Sequence, residues 1–193
     1  FLIVDDFELY NDFDPDDPES NRIFMTWKDG IGYGTPVSQP YFSGNGTGSI
    51  IGNAEPPFAG QQIVHGGKQS MPYEYNNSGT LKYSEAEMTL VYPRDWTENG
   101  VSKLTIWFRG DPDNDAVPMY VALNGSALVY HDDSTATQID TWTEWTIDLQ
   151  KFVDQGVNLT NVNTIAIGFG NKSNPQPGGS GLMFIDDINL KEN

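Results

Sequence analysis

The 193-residue chain predicts an all-β fold, a two-sheet antiparallel β-sandwich, on three observations. Apolar and polar residues alternate with period two in short runs, and turn residues bound those runs. Almost no window carries apolar residues at the helical spacing i, i+3, i+4, i+7. About ten such runs, with no helix-rich half and no internal repeat, fit two packed sheets better than a layered helix-and-sheet arrangement.

The chain opens on "FLIVDDFELY" and runs into the acidic stretch "NDFDPDDPESN", a loop because strand-like segments flank it. "KLTIWFRG" sets Leu104, Ile106 and Phe108 against Thr105, Trp107 and Arg109. "PMYVALNG" sets Met119, Val121 and Leu123 against Tyr120 and Ala122. Asn124-Gly125-Ser126 between "MYVAL" and "ALVYH" marks a hairpin. Residues 147–154, "IDLQKFVD", are the best candidate for a short helical turn, and "TIAIGFG" is a strand with Ile165, Ile167 and Phe169 on one face. "GDPDND" at 110–115 and "KSNPQPGGSG" at 172–181 read as loops. No composition shift divides the chain, so residues 1–193 are expected to form one module. The start lacks a basic-then-apolar leader, which suits either a processed secreted protein or a piece of a longer polypeptide.

Ten Lys plus Arg against 27 Asp plus Glu give a net charge of −17. That sign excludes binding to nucleic acid through a basic face and attraction to an anionic membrane surface. No run approaches the ~18 apolar residues of a membrane span. The absence of cysteine removes disulfides, thiolate metal sites and cysteine nucleophiles together. A chain rich in Asp and Asn has another route to rigidity, because carboxylate and carbonyl oxygens are the ligands calcium prefers.

If one face of each strand fills the core, the other face carries function. The outward set includes Trp107, Arg109 and Tyr120 beside the small residues Ala122, Ala166, Gly168 and Gly170. Large aromatics over a small-residue floor describe a groove, and an aromatic platform with a fork-shaped donor suits a sugar ring. Trp27 and Tyr33, in "RIFMTWKDGIGYG", extend that platform or else pin a long loop to the sheet. Trp107 has a plainer alternative too, as cover for a loop or a sheet edge. Trp96, Trp142 and Trp145 read as structural.

The terminal segments "VDDFELYND" at 4–12 and "GLMFIDDINL" at 181–190 resemble the first and last strands of β-jelly-roll carbohydrate-binding modules with a galactose-binding-like fold, families 4, 11 and 22 in style. "IVHGGKQSMPYEYNN" and "TWTEWTIDLQKF" are similar to inner strands of those modules, whereas residues 22–34 have no clear counterpart in the three families and are similar to bacterial modules of large exported polypeptides. The resemblance implies a non-catalytic, extracellular bacterial module, monomeric and attached to other domains, with a polysaccharide as partner. It also implies a structural calcium where the termini meet, held by Glu8 and by Asp186 or its neighbour Asp187, with Asp6 nearby and backbone carbonyls around His65 and Lys68. Independently, Phe184, Asp186, Ile188 and Leu190 alternate on one strand face, so Asp186 is expected to be buried and to need a cation or several donors.

Two further functions are weighed: a polysaccharide-degrading enzyme, and an adhesion or spacer module that binds no sugar. "SEAE" puts Glu85 and Glu87 on one strand face about 7 Å apart, within hydrolase range, but among 27 acids such pairs are inevitable. "VYHDD" with Arg109 supplies the residue types of a lyase, without the spacing of a motif. The acidity favours a neutral glycan over an anionic one.

Overall fold

A computed structural model describes residues 1–193. In chain order its strands are β1 (Leu2–Asp5), β2 (Trp27–Lys28), β3 (Tyr33–Thr35), β4 (Ser38–Phe42), β5 (Ser49–Ile51), β6 (Met71–Asn76), β7 (Ser84–Thr89), β8 (Lys103–Arg109), β9 (Met119–Leu123), β10 (Ala127–Tyr130), β11 (Thr143–Asp148), β12 (Thr164–Phe169) and β13 (Ser180–Lys191). Two one-turn helices interrupt them, α1 (Ile23–Thr26) and α2 (Gln150–Val153). The first sheet has the order β11-β8-β13-β6-β5, with β1 on β13; the second has the order β10-β9-β12-β7-β2; β3 and β4 form a separate hairpin.

The sequence pattern explains the layers. Leu104, Ile106 and Phe108 of β8 and Ile165 and Ile167 of β12 are fully buried in one shared core. Each such side chain contributes about 1.5–3 kcal/mol by leaving water. Asn124 (φ 51°) and Gly125 (φ 81°) turn the β9–β10 hairpin in the left-handed region, as the Asn-Gly pair predicts. The helical turn is shorter than expected, because Ile147 and Asp148 stay in β11.

Cross-strand register defines the outer faces, since directly paired residues point to the same side. On the first sheet Trp107 pairs with Glu144 and Asp186, Arg109 with Phe184, Phe184 with Pro72, and Glu74 with Leu182 and Ile50. On the second, Glu85, Gly168, Tyr120 and Tyr130 form one row, and Glu87, Ala166, Ala122 and Leu128 the next.

One expected alternation fails. The register of β13 shifts between Asp186 and Asn189, where Asp187 has φ 43°. This bulge switches the parity of the strand. Met183 and Ile185 are buried in the core before it, and Ile188 and Leu190 after it. Asp186 therefore shares the outer face with Trp107 and is buried under residues 65–66, whose N–H groups it accepts.

Candidate functional site

The five residues expected to bind sugar separate. Trp107 and Arg109 lie on the outer face of the first sheet and Tyr120 on that of the second, so the single groove expected of them does not exist. The floor of small residues is real, but it belongs to the second sheet and is covered. The Tyr120 ring lies over Gly168, where any Cβ would overlap it, and its hydroxyl donates to Glu85 Oε2 at 2.6 Å. Lys172 reaches over the same face and pairs with Glu85 at 2.8 Å. Tyr120 is fully buried and presents no free face.

Trp27 is also fully buried, and its Nε1 donates to Asp5 Oδ2 at 2.8 Å. It is a core residue of β2 and neither part of a sugar platform nor the loop pin that was its alternative. Trp107 gives one ring face to His65, centroid to centroid 3.8 Å and 16° from parallel. It covers a loop, which is its plainer reading. Arg109 is half-buried opposite Phe184, and its guanidinium makes no hydrogen bond or ion pair within the protein.

Tyr33 remains, and it lines an open cleft of about 510 Å³ at the β5 edge of the first sheet. The Phe24 ring lies 6.2 Å from Tyr33 and 5.1 Å from Phe58, and the Arg22 guanidinium sits 4.8 Å over Phe58. Ile50, Asn53 and Glu74 complete the floor and rim. The wall is fixed by Asp29, whose buried carboxylate accepts N–H groups from Ile31, Gly32 and Ile51, tying the loop after β2 to β5. Burial pushes the Asp29 carboxyl up, against the pull of those donors. Gly30 is required here, because a Cβ would strike the Thr47 carbonyl. Neither the Tyr33 hydroxyl nor the Glu74 carboxylate has a partner in the protein, and burial holds the Tyr33 phenol above its usual value, so it stays a donor at neutral pH. Phe24 and Phe58 escaped sequence reading, because a one-turn helix and an irregular loop carry no period to flag them.

The residues expected to hold calcium do meet, in a different way. Glu8 Oε1 accepts the amide N–H groups of Lys68 at 2.8 Å and Gln69 at 2.9 Å. Asp186 accepts those of His65 at 2.8 Å, Gly66 at 3.2 Å and Asp187 at 2.8 Å. The His65 ring pairs with Asp187 at 2.6 Å, and Asp6 Oδ1 accepts the Glu8 amide. Residues 65–69 thus point donors at these carboxylates where a calcium shell needs carbonyl oxygens, and no three acidic or histidine side chains converge. The arrangement does not fit the expected calcium site.

The pair raised as a hydrolase motif does not stand open either. Glu85 is occupied by Tyr120 and Lys172, with Glu87 beside it pushed up by burial and by the Glu85 charge. His131, the histidine of "VYHDD", is half-buried, packs 5.4 Å from Phe108 and 4.9 Å from Trp145, and accepts the Asp133 amide.

No family model matches the chain, and no curated protein matches it. Among solved structures it is similar to a β-1,2-glucanase from Parabacteroides distasonis, at 18% identity and TM-score 0.51, over 75% of this chain and 22% of the glucanase. It is also similar to a family 11 carbohydrate-binding module from Clostridium thermocellum in complex with a β-1,3-1,4-mixed-linked tetrasaccharide, at 17% identity and TM-score 0.48, over 75% of this chain and 88% of the module. A third similarity is to a structure described for promiscuous specificity in carbohydrate-binding modules of the β-sandwich superfamily, at 12% identity and TM-score 0.48, where the match spans 75% of this chain and about half, 53%, of the other. At these identities the likeness bears on fold alone, and the β-sandwich itself is read from the strand order of the two sheets.

Proposed function

We propose that the chain is a non-catalytic module that binds a neutral polysaccharide in the Tyr33 cleft. The observation that carries this reading is the cleft itself: the rings of Phe24 and Tyr33, backed by the buried Phe58 under the Arg22 guanidinium, next to a hydroxyl and a carboxylate that the protein leaves unpartnered. Apolar ring faces stack on the CH side of a pyranose, and the free groups bond its hydroxyls. The volume lies within the range of small-molecule clefts. Glu74 and Asp29 on its rim and wall disfavour an anionic glycan, in line with the net charge of −17.

The covered Glu85 and the packed His131 support binding without catalysis. No helix is long and apolar enough to cross a membrane, and we read the chain as an extracellular bacterial module attached to larger partners. Closure of the first strand on the last needs no metal in this reading, because the amides of 65–69 satisfy Glu8 and Asp186. Affinity gels against a panel of neutral and acidic polysaccharides, with reducing-end and 235-nm product assays on the same panel, test it. Retardation by a neutral glycan without product supports a binding module; product release makes it an enzyme; no retardation by any glycan leaves the adhesion or spacer role.

A further inference from the structure

We infer that the binding surface continues past the Tyr33 cleft to a distal subsite at Thr80, Leu81 and Pro175, so that the ligand is an unbranched chain held along β5 by an internal stretch. This rests on the carbohydrate reading of the cleft. The cleft shares Ile31 and Ile50 with a second depression of about 330 Å³ that reaches Gly48, Asn76 and Leu81. That depression shares Thr47, Thr80 and Leu81 with a third, of about 240 Å³, bounded by Tyr83 and Pro175.

The strand geometry explains the continuity. Ile50 pairs with Glu74, and the Asn76 amide donates to the Gly48 carbonyl, two residues further along both strands. Ile50 lines both the cleft and the second depression, and Gly48 and Asn76 line only the second, so the two depressions follow one another along this edge of the sheet. β5 itself, Ser49–Ile51, spans about 7 Å at ~3.3 Å per residue, and the flanking Gly48 and Gly52 carry the file beyond it. Gly48 lets the chain pass close against β6, because a Cβ there would strike the Asn76 carbonyl and the Ser84 hydroxyl. Ile31 and Leu81, 62% and 43% exposed, are large apolar side chains left open along the same line. They offer flat contact to successive rings, where a pocket for a chain end would be closed by a wall. At the other end the cleft shares Asn53 and Ala54 with a cavity of about 770 Å³ walled by Phe184. Depressions therefore adjoin the cleft on both sides.

The test titrates the whole chain, wild type and Leu81→Ala, with neutral β-glucans, xylans, mannans and galactans and with the tri- and octasaccharides of each. Wild type is expected to bind the octasaccharide of its glycan about tenfold tighter than the trisaccharide, the gain of one buried apolar contact. Leu81→Ala is expected to remove most of that gain and leave the trisaccharide affinity unchanged, with an unchanged melting temperature because Leu81 sits in an exposed loop. Equal affinity for both lengths, or an octasaccharide affinity indifferent to Leu81→Ala, overturns the distal subsite while the cleft stands. Binding by no polymer or oligomer overturns the carbohydrate reading itself, and the subsite with it.

Discussion

The Trp107 indole and the His65 imidazole stack at 3.8 Å between centroids, and the same imidazole pairs with Asp187 at 2.6 Å. One aromatic side chain of β8 thereby clamps the 65–69 loop, whose amides hold Glu8 and Asp186. Trp107→Ala is expected to lower stability by about 1–3 kcal/mol through lost packing, and to leave glycan affinity at the Tyr33 cleft unchanged. Thermal melts and affinity gels on the same variant separate the two roles; lost binding with an unchanged melt would return Trp107 to the sugar platform.

The closure of the termini leads to a metal prediction. Excess EDTA is expected to leave the melting temperature unchanged, and a drop that added calcium reverses would contradict the donor arrangement. Glu8→Ala is expected to cost about 1 kcal/mol, because the exposed Lys68 amide and the half-buried Gln69 amide lose their acceptor to water.

On the second sheet, Glu85 binds Tyr120 and Lys172 at once. Removing the carboxylate takes an acceptor from both the Tyr120 hydroxyl and the partly exposed Lys172 ammonium, which keeps the Gly125 carbonyl, so Glu85→Ala is expected to destabilise by about 2 kcal/mol. Tyr120→Phe, which removes only one hydrogen bond, is expected to cost about 1 kcal/mol. Denaturant melts of both variants check the order, and equal costs would place the Lys172 pair in solvent.

Stability is expected to rise as pH falls from 7 towards 5. Burial raises the carboxyls of Asp5, Asp29 and Glu87, and pushes Asp186 up to about 6. A carboxyl raised in the fold takes its proton before the unfolded chain does, so its ionised form costs stability above the folded value, and that cost is relieved as pH falls through it. His131, held below its usual value by burial, works in the opposite direction as the unfolded chain protonates. Relief at Asp186, which titrates inside this window, predicts a higher melting temperature at pH 5, by about 2–4 °C per kcal/mol recovered. A melt that falls steadily below pH 7 would contradict this.

The sandwich was legible in the sequence because burial on one face of each strand leaves a period of two, as in Leu104, Ile106 and Phe108. The sheet to which each strand belongs was not, since alternation names a face and says nothing of its neighbours. That is why Trp107 and Tyr120, similar in pattern, stand on opposite outer faces. The β13 bulge was hidden for a related reason: Asp187 breaks the parity through its backbone angle, and nothing in "FIDDINL" marks the break. Tyr33 was found as an aromatic among glycines, but its partners Phe24 and Phe58 come together only through tertiary contact.

The central claim is that the Tyr33 cleft is the glycan site. Calorimetric titration of wild type and Tyr33→Ala with the neutral polysaccharide retained on affinity gels tests it most directly, with thermal melts as the control. The account predicts at least about a tenfold loss of affinity in Tyr33→Ala, from the loss of one aromatic stacking contact, with the melting temperature nearly unchanged. An affinity equal to that of wild type would contradict it.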